Sequence, residues 1–433
     1  MSNKAFSCDC KTDVAFIPFM PASVKDKVEL RVQIRSLAEN ALLDAEISVD
    51  GDIIHRANAA TVNRFYYFSD RRYYEAGAHT LKIRFRESGS EKMDERTLSF
   101  FIKNERLPIL SGGFVMLGPP DDRMPCSSFT NDTKAMTEED WERYVDEMSN
   151  LNIKCIIITA SVQLRSMLGE RINTAHYSSN LFPRSNIKSN DPIGAILRAA
   201  EKKGQYVFIG LSHTYRGAPT NTVDIMNELY SLYGKSPAFY GWYESEEANI
   251  RRCKDEVFER WKHLRSHASR LSPVKPFLIS PYADGENVYH ETGGVNPEFL
   301  RRISNGDGDF DIIAPQDMVG HTVKGGRLSV KESSEMFRHL SQACDAGNKH
   351  LWANCEAFDF DGDGILVPRF EGGGIDGENG YIQQLEAVFP YAEKTVTFML
   401  NGFFLPRGYI PAIGGALAEE QCENYRAYMN SLH

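Results

Sequence analysis

The sequence predicts an α/β chain: a (β/α)8 TIM barrel preceded by an all-β, immunoglobulin-like sandwich domain. Three observations predict it. Apolar and polar residues alternate through the first ~105 residues, the period of half-buried strands. From about residue 109, short apolar runs and amphipathic stretches follow one another in strict order, eight of each. Carboxylates, amides and aromatics gather just after the apolar runs, where the strands of such a barrel present their chemistry. The expected domains are 1–106 and 107–433.

The sandwich is read from "DVAFIPF", "KVELRVQIRS", "DAEISVDG", "RFYYFS", "GAHTLKIRFRES" and "ERTLSFFIKN", separated by Asp-Gly, Ala-Gly and Ser-Gly turn signals. About seven strands at this spacing suit two packed antiparallel sheets. No Cys–Trp–Cys core pattern is present. A structural or docking module is the plain expectation for it; a glycan-binding surface is the second.

The barrel begins with "ILSGGFVML" and the helix "TEEDWERYVDEMSNLNI", whose Trp141, Val145, Met148 and Leu151 recur at helical spacing, with Thr137 and Asp140 placed as a capping box. "CIIITAS" precedes a long polar loop and "PIGAILRAAEKKG". "YVFIGLSH", "AFYGWYE", "PFLISPY", "DFDIIAPQD", "HLWANCEAF" and "TVTFMLNGFF" follow, each trailed by an amphipathic stretch. These strands are short continuous apolar runs, as parallel strands covered on both faces are. An open doubly wound sheet would usually show G-x-G-x-x-G after its first strand, which "SGGFVMLGPP" does not fit, and "EGGGIDGENG" lacks the G-K-[ST] of a phosphate loop.

The 433 residues are 42% apolar and 25% charged with a formal charge of −10, enough for a large core and unfavourable to a polyanion such as nucleic acid. A neutral or cationic ligand is the easier partner. No apolar run reaches the ~18–20 residues of a membrane span. The N-terminus "MSNKAFSCDCKTD" lacks the regions of a signal peptide, so the protein is expected in the cytoplasm, or outside the cell if a leader has been removed. Eight scattered cysteines suggest buried free thiols rather than a disulfide framework, and Cys8-x-Cys10 has no second pair at zinc spacing. No cofactor and no metal are expected. Oligomeric state is not legible.

Polar residues at the strand ends define the chemistry. The third strand ends at His213; the fourth at Trp242, Tyr243, Glu244, Glu246 and Glu247; the fifth at Ser280 and Tyr282; the sixth at Gln316, Asp317 and His321; the seventh at Trp352, Asn354 and Glu356; the eighth at Asn401. This ring contains no Ser or Cys nucleophile in a recognisable triad and no metal-binding His spacing. Carboxylates on the fourth and seventh strands, each just after a Trp-containing run, suit glycoside hydrolysis, in which one carboxyl protonates the leaving oxygen and the other attacks or activates water. Trp242, Tyr243 and Trp352 are candidate platforms for sugar rings. The competing readings are plain: a strand-end acid is often a helix cap, and a barrel Trp is often packing. "DFDGDG", Asp359 to Gly364, starts like a calcium loop but offers Phe370 at position twelve, and reads as an acidic loop.

"GGFVML", "FYGWYESEEAN", "FDIIAPQDMVG" and "LWANCEAF" together resemble a bacterial family of inferred glycoside hydrolases first catalogued as a domain of unknown function, over roughly 110–405. The resemblance implies a TIM barrel of the large retaining glycosidase type, often with an N-terminal β-sandwich. It implies that Glu247 is the recurrent acid after "GWY", Glu356 the acid after "WAN" and Asp317 the acid of "PQD". Where the family commonly has an apolar residue and a proline, this chain has Glu244 and Ser245. The resulting expectation is a retaining glycosidase of oligo- or polysaccharides. Glu356 is its nucleophile and Glu247 its acid/base, and Trp242, Tyr243, Glu244, Glu246, His213, Tyr282, Gln316, Asp317, His321 and Trp352 surround the sugar. A non-catalytic carbohydrate-binding protein, or a uronic-acid lyase using His213, Arg216 and His321, are the alternatives.

Overall fold

The computed structural model describes residues 12–35, 41–62, 64–87, 90–118, 132–167, 170–213, 221–283, 288–320, 328–360, 366–368 and 380–432. Contacts divide the chain into two compact units: Met1–Arg106 with Ser269–Lys275, and Leu107–Ala268 with Pro276–His433.

The first unit is a β-sandwich. Strands β1 (Thr12–Ile17), β3 (Val28–Arg35) and β6 (Phe65–Arg72) form one sheet in the order β1-β3-β6. Strands β2 (Ala22–Ser23), β4 (Ala41–Val49), β5 (Asp52–Val62), β7 (Gly77–Glu87) and β8 (Asp94–Lys103) form the other in the order β2-β8-β7-β4-β5. Alternate residues such as Leu30, Val32, Ile47, Leu81 and Ile83 fill the space between them, and the rings of Phe16 and Phe100 meet across it at 4.7 Å. Each such side chain contributes roughly 1.5–3 kcal/mol of burial. The predicted Asp-Gly turn joins β4 to β5: Asp50 and Gly51 both have positive φ, at 53° and 92°, as a two-residue hairpin turn requires. Strand β5 is absent from the sequence reading. It is the edge of its sheet and buries only Val62, so its sequence carries no alternation to detect.

The second unit is a closed, all-parallel barrel. Its strands are β9 (Gly112–Val115), β10 (Cys155–Ile158), β13 (Tyr206–Gly210), β15 (Phe239–Glu244), β16 (Phe277–Ile279), β17 (Ile312–Ile313), β18 (His350–Glu356) and β21 (Lys394–Phe398). They are the eight predicted runs, in sequence order round the barrel. Gly112 permits closure: a Cβ there would lie 2.6 Å from the carbonyl oxygen of Cys155. The helices are α1 (Glu138–Asn150), α2 (Pro192–Lys203), α3 (Thr222–Tyr233), α4 (Asp255–Leu271), α5 (Pro297–Ser304), α6 (Val330–Ala346), α7 (Tyr381–Val388) and α8 (Gly415–Ser431). Thr137 and Asp140 form the capping box of α1, which buries Trp141, Val145 and Met148. The long loop after β10 contains a hairpin, β11 (Val162–Met167) and β12 (Glu170–Ala175), extended by β14 (Ser212–His213). Another hairpin, β19 (Phe358–Phe360) with β20 (Leu366–Pro368), follows β18. Cys155, Cys344, Cys355 and Cys422 are buried free thiols and Cys253 is half-buried. Among the described residues, no helix is long and apolar enough to cross a membrane.

Candidate active site

Which face a strand-end residue serves depends on the parity of the strand. Between Val207 and Phe208 of β13 the pairing with β15 jumps from Phe239 to Gly241, so Tyr240 is an extra residue in β15. Such a bulge exchanges the inner and outer faces beyond it. Tyr243 therefore points into the barrel, where its ring meets that of Phe114 at 5.2 Å. Trp242 and Glu244 point outward, toward the helices.

This corrects part of the expected site. Trp242 is fully buried against Phe239, and its indole nitrogen has no hydrogen-bond partner among the described residues. Trp352 faces inward but lies deep in the barrel, edge-on to Phe208 at 5.7 Å, and is also fully buried. Neither ring can stack on a sugar. Tyr243 is buried too, so its ring packs the barrel rather than a ligand. Glu244 is buried and lies 3.2 Å from Arg260 of α4. Burial pushes its carboxyl up to about 7, against the Arg260 charge and with the Glu246 charge. Arg260 also reaches Glu246 Oε2 at 3.3 Å and the Glu246 carbonyl at 3.4 Å. Two of the three crowded glutamates are therefore occupied by one arginine that the sequence reading did not single out.

Glu247 is the third, and its surroundings differ. Its side chain is exposed, yet protein surrounds it: it opens into a cavity of about 570 Å³. Desolvation there pushes the carboxyl up to about 7, and the hydrogen bond donated by Gln316 opposes the rise. That bond runs from Gln316 Nε2 to Glu247 Oε1 at 2.8 Å. The cavity is also lined by Tyr282, as expected for a ligand contact, and by Asn249 and Arg252, which the sequence reading missed. A short ladder holds this wall: Tyr282 N–H donates to Ala248 O and Ile250 N–H to Tyr282 O, both at 2.9 Å.

Glu356 ends β18. It pairs in register with Phe398, whose ring meets Phe114 in the barrel interior, so the glutamate shares the inner face at the C-terminal rim. It is 1% exposed. Gly320 covers it: a Cβ there would overlap the Phe358 carbonyl and lie 3.2 Å from Glu356 Oε2. Below it, Asn354 donates to Ser280 Oγ at 3.1 Å. Asp317 was expected against sugar and is instead fully buried. Its carboxylate accepts the Glu356 backbone N–H at 3.1 Å and the Gln384 amide at 2.7 Å. It fixes the main chain at Glu356 and is itself closed off from solvent.

His213, at the end of β14, is half-buried, and burial holds its imidazole below the ordinary value, hence neutral at pH 7. Asn401 mimics a strand partner, exchanging hydrogen bonds of 2.9 Å with both the N–H and the carbonyl of Met116. His321, Arg216 and the Asp361 and Asp363 part of the acidic loop lie outside the described residues.

A parallel eight-stranded barrel with carboxylates at its C-terminal rim, preceded by a β-sandwich, defines the class of protein. The chain belongs to the family described as "Domain of unknown function (DUF4434)", whose model matches residues 110–409. No curated protein matches it. Its fold is similar to that of a Bacteroides thetaiotaomicron protein provisionally named an alpha-L-fucosidase, with 21% identity and a TM-score of 0.55 over 74% of this chain and 93% of that one. Lower likenesses are to a GH2 beta-galacturonidase from Eisenbergiella tayi, with 12% identity and a TM-score of 0.43 over 96% of this chain and 71% of that one. A beta-D-glucuronidase from Dictyoglomus thermophilum gives 12% and 0.41 over 96% and 68%.

Proposed function

We propose that the protein is a glycoside hydrolase acting on an oligo- or polysaccharide by a two-carboxylate mechanism, with Glu247 as acid/base and Glu356 as nucleophile. The observation that carries this reading is the state of Glu247. It is a carboxyl that opens into a cavity, is raised to about 7 by its surroundings, and is held in place by Gln316. A general acid must hold its proton near neutral pH and give it up in the transition state, and such a value serves both.

In the proposed reaction the protonated Glu247 donates to the glycosidic oxygen as the bond to the anomeric carbon breaks. Glu356 attacks that carbon, and a water deprotonated by Glu247 then releases the sugar. Retention requires the two carboxyl groups to stand about 5–5.5 Å apart; ~6.5–9.5 Å would give inversion instead. The mechanism also requires the sugar to reach Glu356, whose carboxyl is buried in this state.

The test is product release from a panel of aryl glycosides and polysaccharides by wild type, E247Q and E356Q, with folding checked by thermal melting. Loss of activity by ~100-fold or more in both variants supports the assignment. Retained activity in either removes that residue from the chemistry.

A further inference from the structure

We propose that the cavity beside Glu247 is a subsite for an acidic sugar whose carboxylate or sulfate group is received by Arg252. The inference rests on the reading that this site takes carbohydrate.

Counting charge leads to it. Three carboxylates line the cavity, those of Glu246, Glu247 and Glu256, with three cations, Arg252, Lys254 and Arg260. Two of the cations are engaged: Arg260 by Glu246 at 3.3 Å and by Glu244 behind it at 3.2 Å, and Lys254 by Glu256 at 3.4 Å. Two groups remain. Glu247 carries a carboxyl that is protonated over much of the range below neutrality. Arg252 is exposed and makes no side-chain hydrogen bond or ion pair among the described residues. The cavity therefore offers one guanidinium that no protein carboxylate engages, on the same lining as the Glu247 carboxyl.

The arginine is also presented from a fixed backbone. Its N–H donates to Asn249 O at 3.1 Å, directly after the ladder that ties Ala248 and Ile250 to Tyr282. Other arginines of the neighbourhood are engaged: Arg260 by Glu244 and Glu246, and Arg302 by Asp255 and Asp307. A guanidinium fork donates to two oxygens of a carboxylate or sulfate at once, and such charge-assisted bonds are among the stronger ones. A neutral sugar would leave the guanidinium unused. The volume of about 570 Å³ is within the range of small-ligand pockets.

The test is calorimetric titration of wild type and R252Q with sodium galacturonate, sodium glucuronate, galactose 6-sulfate, galactose and inorganic sulfate. Arg252 is exposed, so R252Q is expected to fold, and thermal melting checks it. At least one acidic sugar is expected to bind wild type roughly tenfold or more tightly than galactose and to fall to the galactose level in R252Q. Galactose binding as tightly as the acidic sugars, or acidic sugars binding R252Q as well as wild type, overturns the proposal and leaves the carbohydrate reading intact. Free sulfate binding as tightly as the sugars shows an anion site without sugar recognition and overturns it too, as does the absence of binding by every acidic sugar. Loss of hydrolysis in E247Q and E356Q is scored separately, so the two readings fail on different measurements.

Discussion

The carboxylate of Asp317 accepts the backbone N–H of Glu356 at 3.1 Å, while the next residue back, Gln316, donates its amide to Glu247. Two consecutive residues after β17 thus hold both proposed catalytic acids, one through its main chain and the other through its side chain. One acid follows the fourth strand of the barrel and the other ends the seventh, and the loop of strand six links them. Four predictions follow from this linkage and its surroundings.

Gln316→Leu removes the donor that stabilises ionised Glu247. Its carboxyl, at about 7 in the wild type, should rise further, because the lost bond favoured the charged form. Titration of the glutamate side-chain carbons by NMR should show one group shifted to higher pH. In an active assay the alkaline limb moves the same way, while the melting temperature barely changes, since Gln316 is only half-buried.

Asp317→Ala leaves the Glu356 N–H without its buried acceptor and the Gln384 amide with only the Glu356 carbonyl, at 3.2 Å. Leaving a buried donor unsatisfied costs about 1–3 kcal/mol. Urea denaturation should show that loss, with Asp317→Asn less affected because one carbonyl acceptor survives. Were Asp317 a sugar ligand, Asp317→Ala would weaken binding and leave stability alone.

Glu244 makes stability fall with pH. Its folded value, about 7, lies above the ordinary 4.5, so between those values the folded state binds more proton than the unfolded state, and raising pH favours unfolding. The loss from pH 4.5 to 7 is at most roughly 3 kcal/mol. Glu244→Gln should flatten this slope in denaturation curves measured from pH 5 to 8. A slope that is unchanged would place the burial cost elsewhere.

Gly320→Ala tests the cover over Glu356. The added methyl meets a backbone carbonyl that cannot rotate away, as well as the glutamate itself. A loss of about 1–3 kcal/mol is expected. In an enzyme that cleaves a glycoside, turnover should fall more than substrate affinity, because the displaced group is the proposed nucleophile.

The architecture was readable because each barrel strand is an apolar run that needs burial on both faces, and because α1 announces itself with Thr137 and Asp140. The choice among Glu244, Glu246 and Glu247 was not readable. Tyr240 is an extra residue in β15, and no property of tyrosine marks it as a bulge; one residue of slip sends Trp242 and Glu244 to the helix side. Arg260 lies sixteen residues beyond Glu244 on an amphipathic helix, where an arginine reads as ordinary surface. Asp317 stood in a motif that drew attention, but a buried acceptor and a ligand contact look alike until its partners are seen.

The four tryptophans, Trp141, Trp242, Trp261 and Trp352, all belong to the barrel and are all 1% exposed or less. The sandwich has tyrosines but no indole. Indole emission is therefore a private signal of the barrel: it should stay blue-shifted until that unit opens, whatever the sandwich does. Comparing its melting curve with the far-ultraviolet dichroism of the whole chain would show whether the two units unfold as one or in turn, with no label added and no residue changed.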